Sequence, residues 1–189
     1  MKKILLIATM AFMAVASFAQ PKFAHVNFNE LVMLSPEADA ARTAMAASQK
    51  EAQETFQSMY EEYQTKLQQY QQKASTWTPA IKEGKEKELG DIQQRLEEFN
   101  QTIQQELQQQ QNDLMQPIYA KAQEVVTKLA KAGNYIYVID QTQVLYFDAS
   151  QSTDLTPAAR KELNIPEGRT LESLQAELQA QAEAAQAAN

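Results

Sequence analysis

Two stretches of the chain repeat apolar residues at alternating three- and four-residue steps, with β-type sequence flanking them on both sides. Over residues 36–77 the apolar positions are Phe56, Met59, Tyr63, Leu67, Tyr70, Ala74 and Trp77. The steps between them are 3, 4, 4, 3, 4 and 3, a stripe on one helix face. The doubled 4 is a stutter that locally unwinds a left-handed supercoil. Upstream, Ala38, Ala41, Met45 and Ala52 continue the stripe in smaller side chains, which lets a second helix approach closely. Over residues 89–129 the stripe is Leu89, Ile92, Leu96, Phe99, Ile103, Leu107, Leu114, Ile118, Val125 and Leu129, and Gln110 stands where an apolar residue is expected. Two matched helices about a short connection fold back on each other. The pattern predicts an antiparallel coiled-coil hairpin arm over residues 36–131. Its tip, at about 77–90, holds Trp77-Thr78-Pro79 and a charged turn with Gly84 and Gly90. At ~1.5 Å per residue, forty residues make an arm of roughly 60 Å. No small body covers that length, and Gln, Glu and Lys fill the outer faces.

Local signals set the remaining elements. Lys22 to Phe28 reads as a strand, and Asn29 to Leu34 as a connection or helical turn. Ser35-Pro36-Glu37 marks a helix start, with an N-cap serine, proline in the first turn and an acid beside the helix dipole. Pro117 interrupts the second helix while the pattern continues on both sides, which predicts a kink and makes Pro117 the candidate arm hinge. Gly133 is expected as a left-handed C-cap. Tyr135–Asp140 and Gln143–Asp148 read as two strands pairing in a hairpin. Both faces of this pair are apolar, so one copy of a small body cannot cover them. Patterning therefore predicts a β-rich oligomerisation body over residues 20–35 and 132–165, with Val26, Phe28, Ile136, Val138, Val144 and Tyr146 as candidate interface residues. Thr156-Pro157 starts a short helix to about Leu163, and residues 166–189 form an Ala/Gln-rich tail whose last ten residues are expected to fray. The fold class is α+β, a long helical hairpin on a small antiparallel β body.

Lys2 and Lys3, the apolar run Ile4 to Ala16 and Ser17-Phe18-Ala19 have the layout of a cleavable export signal over residues 1–19. No later stretch is apolar enough to cross a bilayer. The whole chain carries a formal net charge of −7. Loss of Lys2 and Lys3 leaves 15 basic against 24 acidic residues, or −9. That balance gives no electrostatic reason to bind nucleic acid. The chain has no cysteine, which removes disulfides, thiol chemistry and thiolate metal sites.

Enzyme chemistry finds little to use. His25 is the only histidine and lies inside the first strand. Glu61-Glu62 and Glu97-Glu98 are sequence neighbours that point in different directions on a helix, which makes poor acid–base dyads. No phosphate-binding glycine loop, GxSxG or HExxH motif occurs. No enzyme activity and no cofactor is predicted. Tyr60, Trp77, Met115 and Tyr119 lie at or off the seam margins and are the candidate contacts for an unfolded chain. Methionine and tyrosine tolerate varied partners.

The order of elements resembles the Skp (OmpH-like) periplasmic chaperones. The resemblance covers roughly residues 22–163 and is carried by KFAHVNF, by LMQPIYAKAQEVVTKLAKAGNYIYVID and by VLYFDASQSTDLTPAARKEL. It implies a homotrimer whose strands build a central body, with three arms around a cavity. It also implies an ATP-independent holdase for unfolded outer-membrane β-barrel proteins in the periplasm. Better-known members carry cationic arm tips, whereas residues 36–129 here hold 10 basic and 15 acidic side chains. The alternative function is a structural coiled-coil spacer or adaptor of the cell envelope.

Overall fold

The computed structural model describes residues 21–187. The expected export signal over residues 1–19 lies outside the described residues. Strand β1 (Lys22–Val26) leads into a short helix α1 (Phe28–Met33), whose first turn is capped by the Asn27 side chain accepting from the Glu30 N–H at 3.1 Å. Ser35 caps α2 (Pro36–Lys73): its Oγ accepts from the Ala38 N–H at 3.2 Å and donates to the Val32 carbonyl at 2.9 Å. One 3₁₀ turn (Ala74–Thr76) reverses the chain into α3 (Pro79–Gly133). Then come β2 (Tyr135–Asp140), β3 (Ser152–Asp154), α4 (Thr156–Glu162) and α5 (Leu171–Ala187).

The second arm helix starts ten residues earlier than the periodicity predicts. Thr78-Pro79 is itself a helix start, and the charged stretch that reads as a turn is helical, laced by Lys82–Glu86 at 3.9 Å and Lys85–Glu88 at 2.8 Å. Gly84 and Gly90 are ordinary helical residues with open space around them. The two helices are also unequal, 38 residues against 55. The helix runs unbroken through Pro117.

The sheet departs most from expectation. Its order is β2-β1-β3, and both pairings are parallel. The antiparallel 135–140/143–148 hairpin does not form, because β1 is the central strand and residues 143–148 run as irregular backbone. Parallel neighbours need a crossover long enough to return to the starting end. The unequal helices supply it: α3 outruns α2 by 17 residues, about 25 Å at helical rise, which carries the chain past the arm root to the beginning of β1. There Asn134, at φ 55°, takes the left-handed cap expected of Gly133. Gly133 is needed for a different reason, since a Cβ on it would collide with the Tyr135 ring.

The core sits where arm and body meet. Val26, Leu31, Val32, Leu34, Ala38, Ala41, Ile118, Ala122, Ala159, Leu163, Ile165 and Leu174 form one buried cluster. Small side chains from both arm helices take part, and α4 and the tail helix close it. The tail is thus helical through Ala187 and anchored by buried Leu174, while its last turns stay exposed.

Glycine costs a helix interior up to about 1 kcal/mol relative to alanine, and nothing crowds these two positions. Gly84→Ala and Gly90→Ala are therefore each expected to stabilise the arm tip by ~0.5–1 kcal/mol, read as slower amide exchange over residues 79–95.

Candidate functional site

The arm presents a half-buried seam and two long solvated flanks. Every stripe residue from Phe56 to Trp77 is partly buried, and on α3 the stripe from Leu89 to Leu129 is partly or fully buried. Ile92, 1 % exposed, is the best-buried residue of the outer arm. Gln110 fills its place in the stripe by donating from Nε2 to Ser48 Oγ across the arm at 2.9 Å. This polar rung gives the half-buried Gln110 amide and the Ser48 hydroxyl a partner within the seam.

Near the tip, polar bonds staple α2 to α3. Lys66 pairs with Glu88 across the arm, Arg95 approaches Glu62 at 3.5 Å, Tyr70 donates to Glu86, and Gln93 donates to Tyr63 Oη at 2.6 Å. The Lys66 bond, helped by Lys85, holds the Glu88 carboxyl down at about 2, and Glu88 in turn raises Lys66. At the root the Lys121 ammonium lowers Glu37 in the same way. Lys82 and Lys85 at the tip are thus engaged with Glu86 and Glu88, and with Glu83 and Asp91 along the same stretch the tip is not a cationic surface.

The four candidate client contacts are dispersed along the arm. Tyr60 is 43 % exposed midway along α2, stacked on Phe56 with ring centroids 6.4 Å apart. Trp77 is half-buried at the tip, edge-on to Tyr70 at 5.8 Å. Tyr119 is exposed at the root beside Phe28, at 6.3 Å. Met115 is half-buried at the root and packs against the core cluster. Sequence reasoning missed Ile81, exposed at the tip. It falls outside the seam period, and with α3 expected to begin at residue 89 it had no helix face to be judged against.

The body residues divide as well. Val26 belongs to the chain's own core, Phe28, Val138 and Val144 are half-buried, and Ile136 and Tyr146 are exposed. Leu145 stands fully in solvent next to Tyr146, and Tyr137 lies exposed against Phe23 with rings stacked at 6.1 Å. His25 is buried between Phe147, at 4.7 Å, and Ser152 Oγ, bonded to its Nδ1 at 2.9 Å. These contacts give it a structural post. A groove of about 900 Å³ runs beside the sheet, lined by Val26, Phe28, Val126, Val138 and Tyr135 among others.

Among the described residues no group of His, Cys, Asp and Glu side chains is placed to hold a metal ion, and no helix is long and apolar enough to cross a membrane. A family profile described as outer membrane protein (OmpH-like) matches residues 22–163. The chain belongs to the OmpH-like (Skp) chaperone family. Over 168 residues it is 29 % identical to the chaperone protein Skp of Yersinia enterocolitica, covering 86 % of this chain and 99 % of the relative. Its fold is similar to that of an OmpH-like outer membrane chaperone from Caulobacter crescentus solved by crystallography. The TM-score is 0.68 at 14 % identity, covering 77 % of this chain and 85 % of the other. This is a family of chaperones and not of enzymes.

Because the folded value of Glu88 lies below its ordinary 4.5, its ion pairs support the arm fully above that pH and are lost as pH falls toward about 2. Carboxyl NMR should place the Glu88 midpoint near 2 in the native protein, and Lys66→Met should return it toward 4.5.

Proposed function

We propose that this protein is an ATP-independent holdase that assembles as a homotrimer in the periplasm and encloses unfolded outer-membrane β-barrel proteins between its arms. The observation that carries the reading is the exposure of Ile136 and Tyr137 on the edge strand β2 and of Leu145 and Tyr146 in the segment that follows it. So many large apolar side chains left bare on so small a body point to an interaction surface. Union with sister copies through these residues leaves the arms free. The trimer number and the client class come from the family and not from the exposed residues themselves.

Capture then works by many weak touches. Tyr60, Trp77, Ile81 and Tyr119 offer apolar contacts at separate heights along each arm. Tethering three arms to one body converts each later touch into an intramolecular event, so affinity accumulates while every contact stays reversible. Release needs no nucleotide. Pro117, at the arm root, is the proposed hinge that sets cavity width.

Light scattering of the exported form should give three chains per particle, and Leu145→Glu with Tyr146→Glu should give single chains with unchanged helix content. A single-chain mass for the unsubstituted protein overturns the assembly. Diluted from urea, an outer-membrane barrel protein should aggregate several-fold more slowly with equimolar trimer and no ATP. No delay overturns the holdase reading, and Trp77→Ser with Ile81→Ser should shorten the delay.

A further inference from the structure

The tail lies beyond the family match, which ends at residue 163, yet it is tied to both the body and the arm. Two arginines act in series. Arg160 of α4 pairs with Glu30 of α1, and its Nη2 donates to the carbonyls of Pro166 at 2.9 Å and Arg169 at 2.7 Å. Arg169, with its side chain only 18 % exposed, forks onto Asp39 in the first turn of α2. Nη1 reaches Oδ2 and Nη2 reaches Oδ1, each at 2.6 Å, and Glu177 lies 3.6 Å from Nη2. A two-pronged contact of this kind fixes direction as well as distance.

Beyond this latch the tail helix docks at the arm root. Leu174 is 4 % exposed in the common core, with Leu171 packed beside it. The helix forms one wall of a groove of about 730 Å³. Met45 and Gln49 of α2 and Gln111, Leu114 and Met115 of α3 contribute the other walls, with Leu178 and Gln181 opposite them. The tail is therefore tied to α2 through Arg169 and Asp39, and its Leu174 shares the root core with Ala41 of α2 and with Ile118 of α3, the residue after Pro117. An element bound at once to the body, to α2 and to α3 at that level restricts rotation of the arm about its root.

We propose that the tail helix is a clamp on the arm root, that it fixes the angle at which the arm leaves the body, and that Arg169 is its latch. The clamp has a small footprint: one fully buried leucine, its neighbour and one forked ion pair. Such elements open locally well before the whole domain does. Arm angle is thereby coupled to the docking of a segment that the family profile does not include.

The chain has no cysteine, so paired labels can be introduced cleanly. Spin labels at Glu83→Cys on the tip and Lys161→Cys on the body, diluted with unlabelled protein, read the arm angle within one chain and need no client. In full-length Arg169→Ala, amide exchange over residues 171–178 should rise about tenfold, and the tip-to-body distance distribution should broaden. A flexible bis-maleimide joining Gln49→Cys to Gln181→Cys in Arg169→Ala, without the spin-label cysteines, should slow the exchange again, compared with the same protein before cross-linking. Faster tail exchange with an unchanged distance distribution overturns the clamp. Unchanged tail exchange in Arg169→Ala overturns the latch. Neither result bears on chaperone activity, which the aggregation measurement tests separately.

Discussion

Everything outside the body stands on the core at the arm root, where Ala38, Ala41, Ile118 and Ala122 bring both arm helices against Leu31, Leu34, Leu163 and Leu174. Beyond it, among the described residues of the arm, only Ile92 is fully buried. Two helices alone can each bury one stripe, and isolated helices draw little stability from propensity. The arm therefore takes its firmness from its base, and the staples Lys66–Glu88 and Tyr70–Glu86 compensate near the far end. A gradient of this kind suits a prong that must be anchored at one end and compliant along its length.

Much of this was legible from residue patterns because the arm is governed by local periodicity. The seam from Phe56 to Leu129 follows from steps of three and four, and Ser35-Pro36 and Thr156-Pro157 announce their helices by capping chemistry. The errors fall where a local rule met a competing one. Glycine and alternating charge read as a turn at residues 82–90, but Pro79 had already started the helix and the charges pair along and across it. The apolar segment 143–148 reads as a strand by composition, yet strand order is a non-local property. Nothing within it reveals that β1 already has β2 on one side and β3 on the other. The same segment retains large exposed side chains at Leu145 and Tyr146, and that exposure is visible only once the sheet is known.

The charge of the arms bears on how a guest would be held. With 15 acidic and 10 basic residues over 36–129, and Lys82 and Lys85 at the tip paired with Glu86 and Glu88, the surface offers apolar contacts set among mixed, net acidic charge. Attraction of an acidic guest by a field of one sign is not available to it. Under the proposed function, contacts through the exposed Tyr60, Ile81 and Tyr119 would depend weakly on salt and accept varied partners.

The parallel pairing of β1 with β2 has an architectural consequence. Since these strands are immediate neighbours, the whole hairpin between them is, topologically, a single insertion at one edge of the body. Matched turns can be removed from or added to α2 and α3 beyond the root without disturbing strand register, provided the surplus of α3 is kept. Reach is thus an independently adjustable dimension of this molecule, one that evolution or an engineer can retune while the foundation stays the same.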